Sequence, residues 1–117
     1  MSRTDVSPEP SPRSRVVTWE DPMSALPMLA SLDGLSYLQA VSRGEIPIPP
    51  IAALMGFTGF TAEEGKVIFT TDPQEYHYNP LGTVHGGMVA TLVDTALGCA
   101  VQSLLPPAPA TRPSTFR

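Results

Sequence analysis

Asn79, His85, Gly86 and Asp94 are the residues whose types and spacing carry chemistry in this chain. His85-Gly86-Gly87 stands directly before an apolar run, Met88-Val89-Ala90-Thr91-Leu92-Val93, that leads into Asp94. If that run is a helix, its first turn presents backbone N–H groups without intrahelical partners, which receive developing negative charge well. A carboxylate placed inside an apolar helix is costly unless it has a partner or a task. An oxyanion donor and an acid on one helix together make an acyl-transfer site. The Gly86 N–H is the candidate donor, strengthened by the helix dipole, and glycine there lets a substrate approach the backbone. Asp94 then serves as general base on a water or as a nucleophile, and the residues leave both open.

The helix that must position them is predicted over about Gly86 to Leu105. Placing successive residues 100° apart sorts Gly87, Thr91, Asp94, Thr95, Gly98 and Gln102 onto one stripe. Met88, Val89, Leu92, Val93, Ala96, Leu97, Cys99, Ala100, Val101 and Leu104 form the rest. The stripe holds no Lys, Arg or Glu, so close approach of a ligand or another polypeptide fits it better than a wet face. Gly87, Thr91 and Thr95 are accordingly the candidate substrate-binding residues. Gly86 and Asp94 lie eight residues apart, about 12 Å at 1.5 Å rise per residue. One acyl carbon cannot sit within reach of both. If both act on one substrate they come from different chains, which predicts an obligate dimer with equivalent sites at the subunit interface.

Before this helix, Ser31 or Asp33 caps a predicted helix bearing Leu32, Leu35, Leu38 and Val41, with Gly44 to end it. Pro50 to Gly56 reads as a short helical turn. Phe57 to Ala62 and Lys66 to Thr71 read as strands joined through Glu63-Glu64-Gly65. In the second strand Val67, Phe69 and Thr71 share one face. Asp72 to Gly82 is a loop in which Asn79 precedes Pro80 as a turn residue, and His77 packs against the sheet.

The segment Asn79-x-x-Gly82-x-x-His85-Gly86-Gly87, followed by Ala90-Thr91-Leu92-x-Asp94-Thr95-Ala96-x-Gly98, resembles the PaaI-like (phenylacetate-pathway) branch of the hotdog-fold acyl-CoA thioesterases. The resemblance covers roughly Leu35 to Pro106. It implies an α+β hotdog fold, a long central helix wrapped by an antiparallel sheet, working as a dimer or tetramer. It also implies hydrolysis of acyl- or aryl-coenzyme A without metal or other cofactor. In the resemblance Asn79 helps position the water or the carbonyl, and His85 orients the helix start. After Leu105 the family continues with further strands, whereas Pro106 to Arg117 shows no strand pattern. The expectation is an incomplete hotdog domain lacking its C-terminal strands, as a truncation or frameshift produces. Two strands then leave the apolar face of the helix partly exposed. A non-catalytic remnant and an acyl-binding or dimerising module are the alternatives to the hydrolase.

Composition bounds the rest. The 117 residues hold 7 basic and 11 acidic residues, a formal net charge of −4, with no basic cluster, so nucleic acid is excluded as a partner. Polar breaks at Thr91, Asp94, Thr95 and Gln102 argue against a membrane span, and no secretory signal is recognisable. One cysteine, Cys99, reads as a buried structural thiol and points to a reducing, cytoplasmic setting. Residues 1–22 are expected to be a disordered tail and residues 25–105 the partial thioesterase domain, with a Pro-rich tail over 106–117.

Overall fold

The computed structural model describes residues 11–108, so the expectations for the first ten residues and for 109–117 lie outside the described residues. The described part is α+β. Four α-helices, α1 (Leu26–Ser31), α2 (Gly34–Ser42), α3 (Pro50–Met55) and α4 (Gly86–Gln102), accompany two strands, β1 (Phe57–Glu63) and β2 (Lys66–Thr71). A single 3-10 turn, Pro22–Ala25, precedes α1, and another spans Glu75–His77. The sequence reading places no element before Ser31, whereas the structure has α1 and its leading turn there.

Local signals explain most boundaries. Asp33 caps α2, its Oδ2 accepting the Ser36 N–H at 3.0 Å. At the other end Gly44, at φ 81°, closes a Schellman motif: the Gly44 N–H donates to the Val41 carbonyl and the Glu45 N–H to that of Ala40. Pro50 opens α3 at its first position, and Gly56 ends it in the left-handed region. The hydrogen bonds from Ser36 hold the Asp33 carboxyl below the usual carboxylate range. The folded value being depressed, this cap stabilises above the unfolded value and is lost as pH falls through the folded one. Asp33→Ala is therefore expected to lower Tm at neutral pH and to narrow its gap from the parent as pH falls toward 3, as circular dichroism melts would show.

β1 and β2 pair antiparallel from Glu63↔Lys66 to Phe57↔Thr71, with an irregularity between Phe57 and Gly59. Val67, Phe69 and Thr71 share the inward face, and Ile68 points out. Phe60 and Phe69 stack at 4.8 Å, with Phe57 edge-on to Phe69 at 6.2 Å. α2 covers β1. Its Ala40 and Val41 form the core with Ile46 and Phe60, while Ser42 Oγ donates to the Phe60 carbonyl at 2.7 Å and Gln39 Nε2 to that of Ala62 at 3.2 Å.

α4 is continuous but ends at Gln102, three residues before the expected Leu105. Ser103 is its C-cap: its buried Oγ donates to the Ala100 carbonyl at 2.6 Å and accepts the Gly65 N–H at 2.8 Å. The sheet does not wrap the helix. The two-stranded hairpin lies along one side of α4 and α2 packs on part of the rest. Met88 is consequently buried and Leu92, Ala96, Cys99 and Ala100 are half-buried. Val89, Val93, Leu97, Val101 and Leu104 are exposed, Leu97 by 64%. The sorted stripe is also divided. Thr91, Thr95 and Gln102 turn inward, whereas Gly87, Asp94 and Gly98 stay exposed. Two strands span too narrow an arc to enclose a helix, which leaves the apolar face partly open, as the sequence predicts.

Candidate active site

The loop before α4 is tied down by two polar side chains, Asn79 and His77, and by backbone pairing. The Asn79 Oδ1 accepts the Leu81 N–H at 2.9 Å and the Thr83 N–H at 3.2 Å, and its Nδ2 donates to Thr83 Oγ1 at 2.9 Å. Gly82, at φ 80°, completes the turn, and Tyr78 bridges to Val84. His77, only 6% exposed, pins this loop to the end of α3. Its Nε2 lies 2.6 Å from the Met55 carbonyl and its Nδ1 accepts the Gln74 N–H at 2.9 Å, so the ring is the neutral Nε2–H tautomer. The His77 carbonyl then accepts the His85 N–H at 2.8 Å. His77 thus ties the loop to the C-terminal residue of α3.

His85 is the N-cap of α4. Its Nδ1 accepts the Gly87 N–H at 2.7 Å, and its carbonyl receives the Met88 and Val89 N–H groups at 3.0 and 3.4 Å. A Cβ on Gly87 would stand 2.9 Å from that Nδ1, which explains the second glycine of the pair. Of the first-turn donors, the Gly86 N–H alone has no partner among the described residues. Gly86 is exposed, and a Cβ on it would meet nothing within 4 Å.

Asp94 lies on the same unbroken helix, exposed and without a hydrogen bond or ion pair among the described residues. Gly86 and Asp94 remain about 12 Å apart along the axis, and the chain alone does not bring them together. The threonines of the stripe are turned onto their own helix: Thr91 Oγ1 donates to the Gly87 carbonyl and Thr95 Oγ1 to that of Thr91, both at 2.8 Å. His85 and Gly87 meet directly, Asn79 reaches them through the loop backbone, and Thr95 lines a separate cavity.

The start of α4 opens on a cleft of about 410 Å³ that Arg15, Tyr76, Tyr78, His85 and Gly87 help to line. Arg15 lies in the segment that the sequence reads as a tail. Its guanidinium donates to the Ala53 and Leu54 carbonyls at 2.9 and 2.7 Å, capping the C-terminus of α3, and stacks over Tyr76 at 4.0 Å. Arg13 pairs with Glu75 at 2.7 Å beside it. Nothing in the local sequence announces these contacts. Among the described residues no cluster of three His, Cys, Asp or Glu side chains is placed to hold a metal ion. No helix among them is long and apolar enough to cross a membrane.

Over 34 residues the chain is 53% identical to acyl-coenzyme A thioesterase 13 of Homo sapiens and, equally, to that of Pongo abelii. That stretch is 29% of this chain and only 24% of the length of each relative. No family model matches the chain, and no solved structure matches it.

Proposed function

We propose that this protein hydrolyses acyl- or aryl-coenzyme A thioesters to the free acid and coenzyme A. The observation that carries the reading is the unpartnered Gly86 N–H at the capped, open start of α4. It is a preformed donor for the oxyanion that appears when the thioester carbonyl is attacked. Asp94 acts as general base on the attacking water or as nucleophile. His85 orients the first turn, Asn79 acts through the loop it holds, and Gly87 and Thr91 shape the approach of the substrate, whereas Thr95 faces the separate cavity. The similarity to acyl-coenzyme A thioesterase 13 supports the same reaction class.

Two copies of the chain complete each site in this reading, Gly86 from one and Asp94 from the other, in a homodimer or homotetramer. The separation of the two residues on one helix and the exposure of Asp94 both support this. The reaction needs no cofactor, and the lone cysteine suits a reducing, cytoplasmic setting. The exposed apolar side of α4 favours a second reading, a non-catalytic acyl-binding or dimerising module.

Release of coenzyme A thiol from a panel of acyl- and aryl-coenzyme A esters separates the two. Turnover of at least one ester, proportional to protein and lost in Asp94→Asn, is the expected result. A folded protein that releases no more thiol than its Asp94→Asn variant from every ester would leave only the binding module.

A further inference from the structure

A second cavity, of about 380 Å³, lies between α2, the hairpin and the far half of α4. Thr95 and Cys99 form its α4 wall. Gly86 stands thirteen residues before Cys99, about 20 Å along the helix, so this cavity is separate from the start of α4. No charged side chain lines it. Three of its hydroxyl groups are turned away onto backbone: Ser42 donates to the Phe60 carbonyl, Thr58 to that of Thr70, and Thr95 to that of Thr91. The walls that remain are aliphatic side chains and the rings of Phe57, Phe60 and Phe69. Burial pushes both the Tyr37 hydroxyl and the Cys99 thiol up, so both line the cavity as neutral groups.

We infer that this cavity is a binding site for an uncharged aromatic group larger than a single ring, distinct from the proposed catalytic site. An apolar cavity of about 150 Å³ already takes up benzene and excludes water, and this one is more than twice that size. The stacked Phe60–Phe69 pair and the edge of Phe57 offer a planar guest both face and edge contacts, an advantage over an alkyl chain of equal area. A charged guest finds no group of opposite charge here and is rejected by its desolvation cost.

Cys99 is the only cysteine of the chain, so its alkylation reports on the cavity wall without ambiguity. In the full chain, indole at ten times its Kd should slow iodoacetamide alkylation of Cys99 about tenfold. Two substitutions should remove that protection. Ala52→Leu fills the cavity from α3, and Ile48→Trp covers its rim at a site already 44% exposed, where a larger side chain does not threaten the fold. Nuclear Overhauser contacts from indole to the Phe69 ring and Leu38 methyls in the unsubstituted protein decide the matter even if neither variant folds. Absence of those contacts at saturating indole, or equal protection in a folded Ile48→Trp protein, overturns the inference. Protection by octan-1-ol but not by indole overturns the choice of an aromatic guest. None of these readings requires thioester turnover, so failure here and failure of the proposed hydrolysis are distinguishable.

Discussion

Asp94→Asn is expected to lower acyl-coenzyme A turnover by about 100-fold or more while leaving substrate binding within a few-fold. The substitution keeps the volume of the side chain and removes the basic carboxylate. A group that activates water or forms an acyl intermediate acts in the transition state, so its loss falls on kcat and not on KM. Asp94 is exposed and supports no hydrogen bond or ion pair among the described residues, so the fold should not suffer. The circular dichroism melt is expected to match the parent. Steady-state kinetics over several esters check the prediction. Near-normal turnover of each would make Asp94 a bystander on the helix surface and remove the mechanism, even with the Gly86 donor intact.

Gly34→Ala is expected to damage the fold more than any other single methyl addition at a glycine. A Cβ at Gly34 would fall 1.6 Å from the Gln102 carbonyl oxygen and 2.7 Å from its carbon. Both are backbone atoms at the end of α4, so no rotamer change relieves the clash. α2 must move away from α4, which also breaks the 2.9 Å bond from the Gly34 N–H to the Leu105 carbonyl. Overpacking of this kind costs about 3 kcal/mol or more, which for a domain of this size lowers Tm by on the order of 10 °C or more. Gly86→Ala is the matched control, because its Cβ meets nothing and helix propensity favours alanine. A Gly34→Ala melt that overlays the parent would show that α2 and α4 do not pack as closely as described.

The parts of this architecture that the sequence discloses are those decided within a few residues. Asp33 and Gly44 bracket α2, Pro50 and Gly56 bracket α3, and Gly65 sits in the hairpin turn, each by cap or turn chemistry local to it. His85-Gly86 marks the start of α4 for the same reason, and the angular sorting of α4 puts Asp94 and Gly98 on one exposed side. What periodicity does not disclose is which side of α4 meets the hairpin. Angular sorting groups Thr91 and Thr95 with Asp94, yet they turn inward, because each satisfies its hydroxyl on its own helix and can then face apolar neighbours. Arg15 escapes a local reading altogether, since its partners are carbonyls 38 and 39 residues away. The end of α4 escapes it too, because Ser103 is fixed by the Gly65 N–H across the fold.

The two clasps at the end of α4 have a consequence for how the chain acquires its structure. Gly65 reaches Ser103 over 38 residues, and Gly34 reaches Leu105 over a longer span still. The hairpin and α2 can form early from local contacts, but a lone two-stranded hairpin is marginal in water. Neither element is locked until the last turn of α4 exists to receive it, and closing such long loops is the entropically slow step. During synthesis the segment from Gly34 to Thr71 therefore emerges and waits, with the side of β2 that meets α4 uncovered, until residues 103–105 follow. The interval between those two events is when the nascent chain is most open to chaperones and to aggregation.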